Sequence, residues 1–233
     1  MSEMPAASAG HTVRSYDQEL YALSRKIIEM GGLVEREMAG AIDAMVQRDP
    51  SIVKEVIALD ERVDHLEEEI DQAAIRLLAI RQPVAVDLRH VAMALKISNH
   101  LERIGDYARN MARRAERVAA TGTIKPLITI PRMAQIAQAM VKEVLDAYVE
   151  RDLQRALASW HRDDELDEMY NSLFRELLTY MMEDPRHISV AIDLLFIAKH
   201  IERIGDHATN VAEKIHYMIS GERLSRLPNP HLP

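Results

Sequence analysis

From residue 94 to residue 118 apolar side chains fall at Ala94, Ile97, Leu101, Ile104, Ala108, Met111, Ala115 and Val118, in alternating steps of three and four. Adding 100 to each number gives Leu194, Ile197, Ile201, Ile204, Ala208, Val211, Ile215 and Met218, again all apolar. That spacing keeps the set on one helix face, and a face this long is buried by packing against other helices. A strand turns successive side chains to opposite sides and cannot use the pattern. The chain is therefore predicted to be all-α and internally duplicated.

Two more seams precede the first copy. One runs through Val56, Leu59, Val63, Leu66, Ile70, Ala73, Leu77 and Ile80, the other through Tyr16, Leu20, Leu23, Ile27, Met30, Val34, Ala41 and Met45. Asp49-Pro50 has the order of an N-cap followed by a first-turn proline. "RQPVAVDLR" interrupts the periodicity, and Asp184-Pro185 makes the corresponding break in the second half. Helix one is predicted over about 15–47 and helix four over about 132–150. "TGTIKPLITIP", with Gly122, Pro126 and Pro131 as breakers, joins the halves. "VQRD" is echoed by "VERD", and "DERVDHL" by "DDELDEM". The predicted fold is two tandem antiparallel three-helix bundles of six long helices. They cover residues 15–121 and 132–221, with a linker at 122–131 and disordered tails at 1–14 and 222–233.

Composition narrows the function. Lys and Arg number 29 against 37 Asp and Glu, a net charge of −8, which suits a nucleic-acid backbone poorly. There is no Cys, so disulfides, thiolate metal sites and cysteine nucleophiles are excluded, as fits a reducing cytoplasm. "MSEMPAASAG" lacks the basic and apolar regions of a signal peptide. The longest apolar run, "ISVAIDLLFIA", carries Asp193 and is too short to span a bilayer. A cytoplasmic protein without membrane insertion is expected.

The chemistry-bearing residues lie on the duplicated helices. "HLERIGDYARN" (100–110) and "HIERIGDHATN" (200–210) agree at eight of eleven positions. Locally the segment is a poor helix: Glu and Asp four apart repel, and a mid-helix Gly costs about 1 kcal/mol relative to Ala. Asp60 and Asp64 centre about 21 residues before Pro83, and Glu102 and Asp106 about 21 after it. Asp163 and Asp167 lie about 20 residues before Pro185, and Glu202 and Asp206 about 19 after. In an antiparallel hairpin equal distances from the turn mean equal height, so each bundle brings four carboxylates to one level.

With Leu101, Ile104 and Ala108 in the core, Glu102 and Asp106 are expected to point away from the seam, toward solvent or its edge, with Asn110 on the same face and Gly105 offering open space for an ion or partner. Such oxygen-rich sets suit Mg, Mn, Ca or Fe, and a bound cation would offset the repulsion. The alternative is an ordinary solvated acidic surface. His100 and His200 are expected to flank the core, and His207 is at most an accessory ligand. Arg103 and Arg203 are candidates for ion pairs. Phosphate loops, nucleophile elbows and His-Glu-x-x-His are absent from the sequence, and a non-enzymatic protein is expected.

At "DLRHVAMALKISNHLERIGDYARNMA" and "LLFIAKHIERIGDHATNVAEKIHYMISGE" the chain resembles the PhoU family of bacterial phosphate-uptake regulators, over roughly 16–222. The resemblance implies six helices in two three-helix bundles. It also implies surface metal sites at Asp60, Asp64, Glu102 and Asp106 and at Asp163, Asp167, Glu202 and Asp206. Asn110 and Asn210 follow in the motif, and the ions are divalent or trivalent (Fe, Mn, Mg, Ca or Zn). It implies negative regulation of phosphate uptake and of the phosphate-starvation response. The implied partners are the ATPase subunit of a phosphate ABC transporter and the cytoplasmic part of a sensor histidine kinase. The acid stripe of helix two continues through Glu67, Glu68 and Asp71, where helix five has Tyr170, Asn171 and Phe174, so a weaker second site is expected. "DLR" has no copy before the second motif. A homodimer is a further expectation, because long bundles often self-associate. A carboxylate-bridged metalloenzyme and a purely structural scaffold remain as alternatives.

Overall fold

The computed structural model describes residues 7–121, 129–160 and 162–224. The helices are α1 (Ala7–Gln47), α2 (Pro50–Arg81), α3 (Ala85–Thr121), α4 (Thr129–Glu150), α5 (Leu153–Trp160), α6 (Asp163–Glu183) and α7 (Ile188–Ser220), with a 3₁₀ turn at Pro185–His187. No strand occurs among the described residues, and no described helix is long and apolar enough to cross a membrane. The predicted all-α bundle architecture is what the chain adopts.

The breaks fall where local chemistry places them. Asp49 caps α2, its carboxylate accepting from Ser51 N at 2.8 Å, with Pro50 in the first turn. Arg48 and Arg151 both take left-handed φ, 58° and 54°, immediately before a capping aspartate. Asp152 then accepts from Gln154 N at 2.8 Å. The echo of "VQRD" in "VERD" is this shared turn. Asp184 accepts from Arg186 N at 2.9 Å and starts the 3₁₀ turn into α7.

The limits differ from expectation in three places. Helix α1 starts at Ala7 rather than near 15, and the predicted N-terminal tail at 1–6 lies outside the described residues. Helix α4 starts at Thr129, with Pro131 tolerated in its first turn, where no N–H is needed; the linker at 122–128 and the tail at 225–233 lie outside the described residues. A seventh helix, α5, precedes α6. The new start at Asp163 is favoured by Asp163, Asp164 and Glu165 in its first turn, where acidic groups meet the positive end of the helix dipole.

Helices α1, α2 and α3 pack on one another, and α4, α6 and α7 form the second bundle with α5 against α4 and α7. The halves join chiefly where α3 lies against α7, antiparallel. His100 meets His207, Tyr107 meets His200 and Arg114 meets Asp193, so seven residues forward on one helix match seven back on the other. Exchanging residue i with residue i+100 maps this interface onto itself.

The duplicated seam is fully buried, with Ile97, Leu101, Ile104, Ile201 and Ile204 at 0–1% exposure. Each such side chain stabilises by about 1.5–3 kcal/mol. The α2 seam departs from its predicted register. Its buried stripe is Val53, Val56, Asp60, Val63, Leu66, Ile70, Ala74 and Leu77. Leu59 and Ala73 are only partly buried, and Ile80 is 62% exposed. Asp60 thus stands in a core position.

Candidate functional site

The expected placement of the carboxylates, toward solvent or its edge, needs correction at Asp60 and Glu202. Asp60 is 4% exposed and Glu202 9%, while Glu102, Asp106, Asp163 and Asp206 are half-buried and only Asp64 and Asp167 are exposed. Helices α3 and α7 are flanked on three sides, so faces left over from one seam are claimed by another. The predicted grouping is seen in full in the second half and in part in the first, where Glu102 feels Asp106 and Glu67 rather than Asp60 and Asp64. Asp60, Asp64 and Asp106 feel one another's charge, as do Asp163, Asp167, Glu202 and Asp206.

In the first half the cluster contains its own cation. Arg109 of α3 bonds Asp60 and Asp106 together. Beneath them Glu37 of α1 is fully buried, with neither carboxyl oxygen hydrogen-bonded. Burial, then the charges of Asp60 and Asp64, pushes Glu37 up to about 9. Burial and Asp106 raise Glu102 to about 7, and burial and Asp60 raise Asp64. At the rim, exposed Arg103 lies 3.5 Å from Glu102 and 3.4 Å from Asp106.

The second half lacks this internal cation. Burial, followed by Asp206, Asp167 and Glu202, raises Asp163 to about 7; burial raises Asp167 and Glu202 as well. Asp163 Oδ1 and Glu202 Oε2 are buried without a partner. Cationic contacts come from Lys199, 2.6 Å from Glu202 Oε1, and from Arg203, 3.8 Å from Asp206. Glu143 of α4 pairs with Arg162 at 3.1 Å and leaves its other oxygen buried and unpartnered.

The glycines make the comparison direct. A Cβ at Gly105 would meet Glu37 Oε2 at 2.8 Å, whereas one at Gly205 would meet Leu166 Cδ1 at 2.6 Å, Asp163 Oδ1 at 3.3 Å and Met140 Cε at 3.8 Å. Met140 thus stands where the first half has Glu37. Thr209, whose hydroxyl donates to the Gly205 carbonyl at 3.0 Å, stands where it has Arg109. A buried acid with a cation in one half is an apolar side chain with a hydroxyl in the other. The expectation that Gly105 leaves open space is overturned, because other helices fill it. We expect Gly205→Ala to destabilise by about 1–3 kcal/mol, since fully buried Leu166 has no free volume to move into. Gly105→Ala should cost less, because only the end of a flexible side chain must shift. Chemical denaturation of both variants checks the order.

Glu37 and Glu143 escaped the sequence reading. A signal for Glu37 existed: the α1 seam skips from Val34 to Ala41, and Glu37 fills the gap. Asn210 Nδ2 donates to the Asp206 carbonyl at 2.8 Å, and Asn110 is half-buried one turn past Asp106. His100 and His200 flank the core as expected, and burial holds both down at about 4. His207 Nδ1 faces His100 Nδ1 at 3.0 Å, so one ring must donate and the other accept.

Among the described residues no three His, Asp or Glu side chains converge to hold a metal ion as they stand. The donor chemistry nevertheless fits a hard cation, best in the second half. Carboxylates there feel one another's charge, and two carry buried unpartnered oxygens. The cations beside them are Lys199 on Glu202 and the exposed Arg203 near Asp206, with none bridging two helices as Arg109 does.

The PhoU domain model matches residues 27–115 and 130–215. The chain is 51% identical over 216 residues to a phosphate-specific transport system accessory protein PhoU homolog of Caulobacter vibrioides, covering 92% of this chain and 94% of the relative. A Pseudomonas aeruginosa relative of the same description is 37% identical over 212 residues, 91% and 88% of the two chains. The crystal structure of PhoU from Pseudomonas aeruginosa superposes with a TM-score of 0.87 at 37% identity, covering 89% of this chain and all of that one. PhoU from Streptococcus pneumoniae gives 0.83 at 25% identity, with coverage of 90% and 99%.

Proposed function

Because this chain belongs to the PhoU family, we propose that it is an accessory regulator of a phosphate transport system, acting in the cytoplasm by contact rather than by turnover. The observation that supports this reading is identity of 51% and 43% over nearly the whole chain with relatives described as phosphate-specific transport system accessory proteins. It represses uptake and the phosphate-starvation response when phosphate is plentiful. Its partners are the ATPase subunit of the transporter and the cytoplasmic part of a sensor histidine kinase.

Two related but unequal acidic faces suit two different basic partner surfaces, where complementary charge mainly sets association rate and specificity. We place hard cations at Asp163, Asp167, Glu202 and Asp206, with Asn210 beside them. A second set, of lower affinity, comprises Asp60, Asp64, Glu102 and Asp106, with Asn110. A bound cation would neutralise each face and thereby alter which surface a partner meets. Deleting the gene is expected to release phosphate-starvation genes in phosphate-rich medium. The protein should also retain the ATPase subunit on an affinity column. Normal repression in the deletion strain would falsify the regulatory reading.

A further inference from the structure

At the far end of the α3–α7 interface from Asp193, a cleft of about 660 Å³ lies between the start of α3 and the end of α7, with Arg89, Lys96, Lys214 and Arg223 in its lining. Glu213 is the single acidic lining residue, and it sits 3.4 Å from Lys214. Arg89 Nε is buried without a hydrogen-bond partner, and its guanidinium lies against Gly221, the left-handed cap of α7. Arg89 is the arginine of "DLR", the motif without a second copy. In a chain of net charge −8, a concave surface with this excess of cations needs an account.

The internal symmetry supplies the comparison. Under the exchange of i with i+100, the equivalent end of the interface holds Arg114 and Arg117, and there Asp193 neutralises both, at 2.8 and 2.7 Å. Arg114 also packs over the Phe196 ring, 4.0 Å from its centroid. At the cleft the counterpart of Asp193 is Met93, the counterpart of Phe196 is Lys96, and Arg114 becomes Lys214. The built-in anion has been exchanged for a thioether. Lys96 offsets the loss of Arg117, whose counterpart is Tyr217, and Arg89, opposite Ser189, adds a further cation. Lys96 also borders a hollow lined by Glu67 and Asp71, but no described carboxylate pairs with Lys96, Arg89 or Arg223 within ion-pair distance.

We propose that this cleft binds a phosphorylated small molecule, its phosphoryl oxygens taking the place Asp193 fills at the other end. Several convergent cations call for a ligand with more than one negative charge, and the arginine fork matches a phosphoryl group bidentately. The volume is that of a small-molecule site. Leu88, Ala92, Met93, Leu224 and Tyr217 add apolar lining for an organic body such as a nucleoside. The inference is independent of the acidic clusters and of the regulatory reading.

The test is calorimetric titration of the full chain in chelator with ADP, pyrophosphate and adenosine. ADP should bind and adenosine should not. Arg89→Gln and Lys214→Gln should each weaken ADP at least about tenfold, the loss of a charge-assisted bond. Met93→Asp should abolish binding by restoring the internal anion, and Arg114→Gln should leave it unchanged. ADP binding tighter than pyrophosphate identifies an organic phosphate; equal affinities identify an inorganic one. Melting curves establish that each variant is folded. The proposal fails if neither ADP nor pyrophosphate binds, if adenosine binds as well as ADP, or if both Arg89→Gln and Lys214→Gln bind like wild type.

Discussion

Arg109→Ala is expected to destabilise the metal-free protein by about 3–5 kcal/mol, the range for breaking a buried pair by removing one partner. Arg109 and Asp60 have side-chain exposures of 22% and 5%, so the aspartate cannot recover its lost partner from water. Asp106 loses the same cation, and Glu37 lies beneath with both oxygens unbonded. Arg103, 53% exposed and bound to Glu102 and Asp106 only at the rim, is the control; Arg103→Ala should cost less than about 1 kcal/mol. Adding Asp60→Leu to Arg109→Ala should recover at least about 2 kcal/mol, since an apolar residue then completes the stripe of Val56 and Val63. Glu37→Met, copying Met140, should be neutral or stabilising. Urea denaturation of the set checks all four values. Equal losses from Arg109→Ala and Arg103→Ala would show that the cluster is screened by solvent and that Arg109 is ordinary surface.

The fold was legible because its signal is long. Eight apolar positions in steps of three and four, repeated 100 residues on, leave no other way to bury the face. The hairpin arithmetic also brought together Asp60, Asp64 and Asp106 in one half and the four acids of the other, since it needs only the turn and the rise of a helix. Exposure was harder to read. A residue off one seam was assigned to solvent, but α3 carries contacts with α1, α2 and α7, so a face spare in one pairing is used in the next. That is why Asp60 was assigned outside a stripe that in fact includes it, and why Gly105 was read as open space. The role of Arg109 needed the third dimension. Its alignment with Thr209 looks like ordinary drift until Glu37 and Met140 are found facing the two glycines. The divergence of the two clusters lies at Arg109 and Thr209 in the duplicated helices and at Glu37 and Met140 in α1 and α4, whose sequences share little beyond the turn that follows them.

The internal cation also sets the order in which the two halves should take up metal, and it reverses the order expected from the longer acid stripe of α2. In the first half an ion must displace Arg109 from Asp60 and Asp106 or bind beside its charge, and either costs affinity. In the second half Lys199 holds only one oxygen of Glu202, and Arg203 stands at the edge of Asp206. Asp163 and Glu202 each present a buried oxygen that nothing else satisfies, so an ion relieves repulsion and desolvation together. Manganese titrated into chelator-stripped protein should therefore show a tight class and a class at least about tenfold weaker, a difference of about 1.4 kcal/mol or more. Glu202→Ala with Asp206→Ala should remove the tight class. Glu102→Ala with Asp106→Ala should spare it, and Arg109→Thr, copying Thr209, should narrow the gap between the classes. Occupancy of both should fall on acidification, because metal and protons compete for the same carboxylates. Paramagnetic resonance of free manganese reads each outcome directly. Loss of the tight class in the Glu102/Asp106 variant, with retention in the Glu202/Asp206 variant, would show that Arg109 yields readily and that the number of carboxylates, not the countercharge among them, decides where the ion sits.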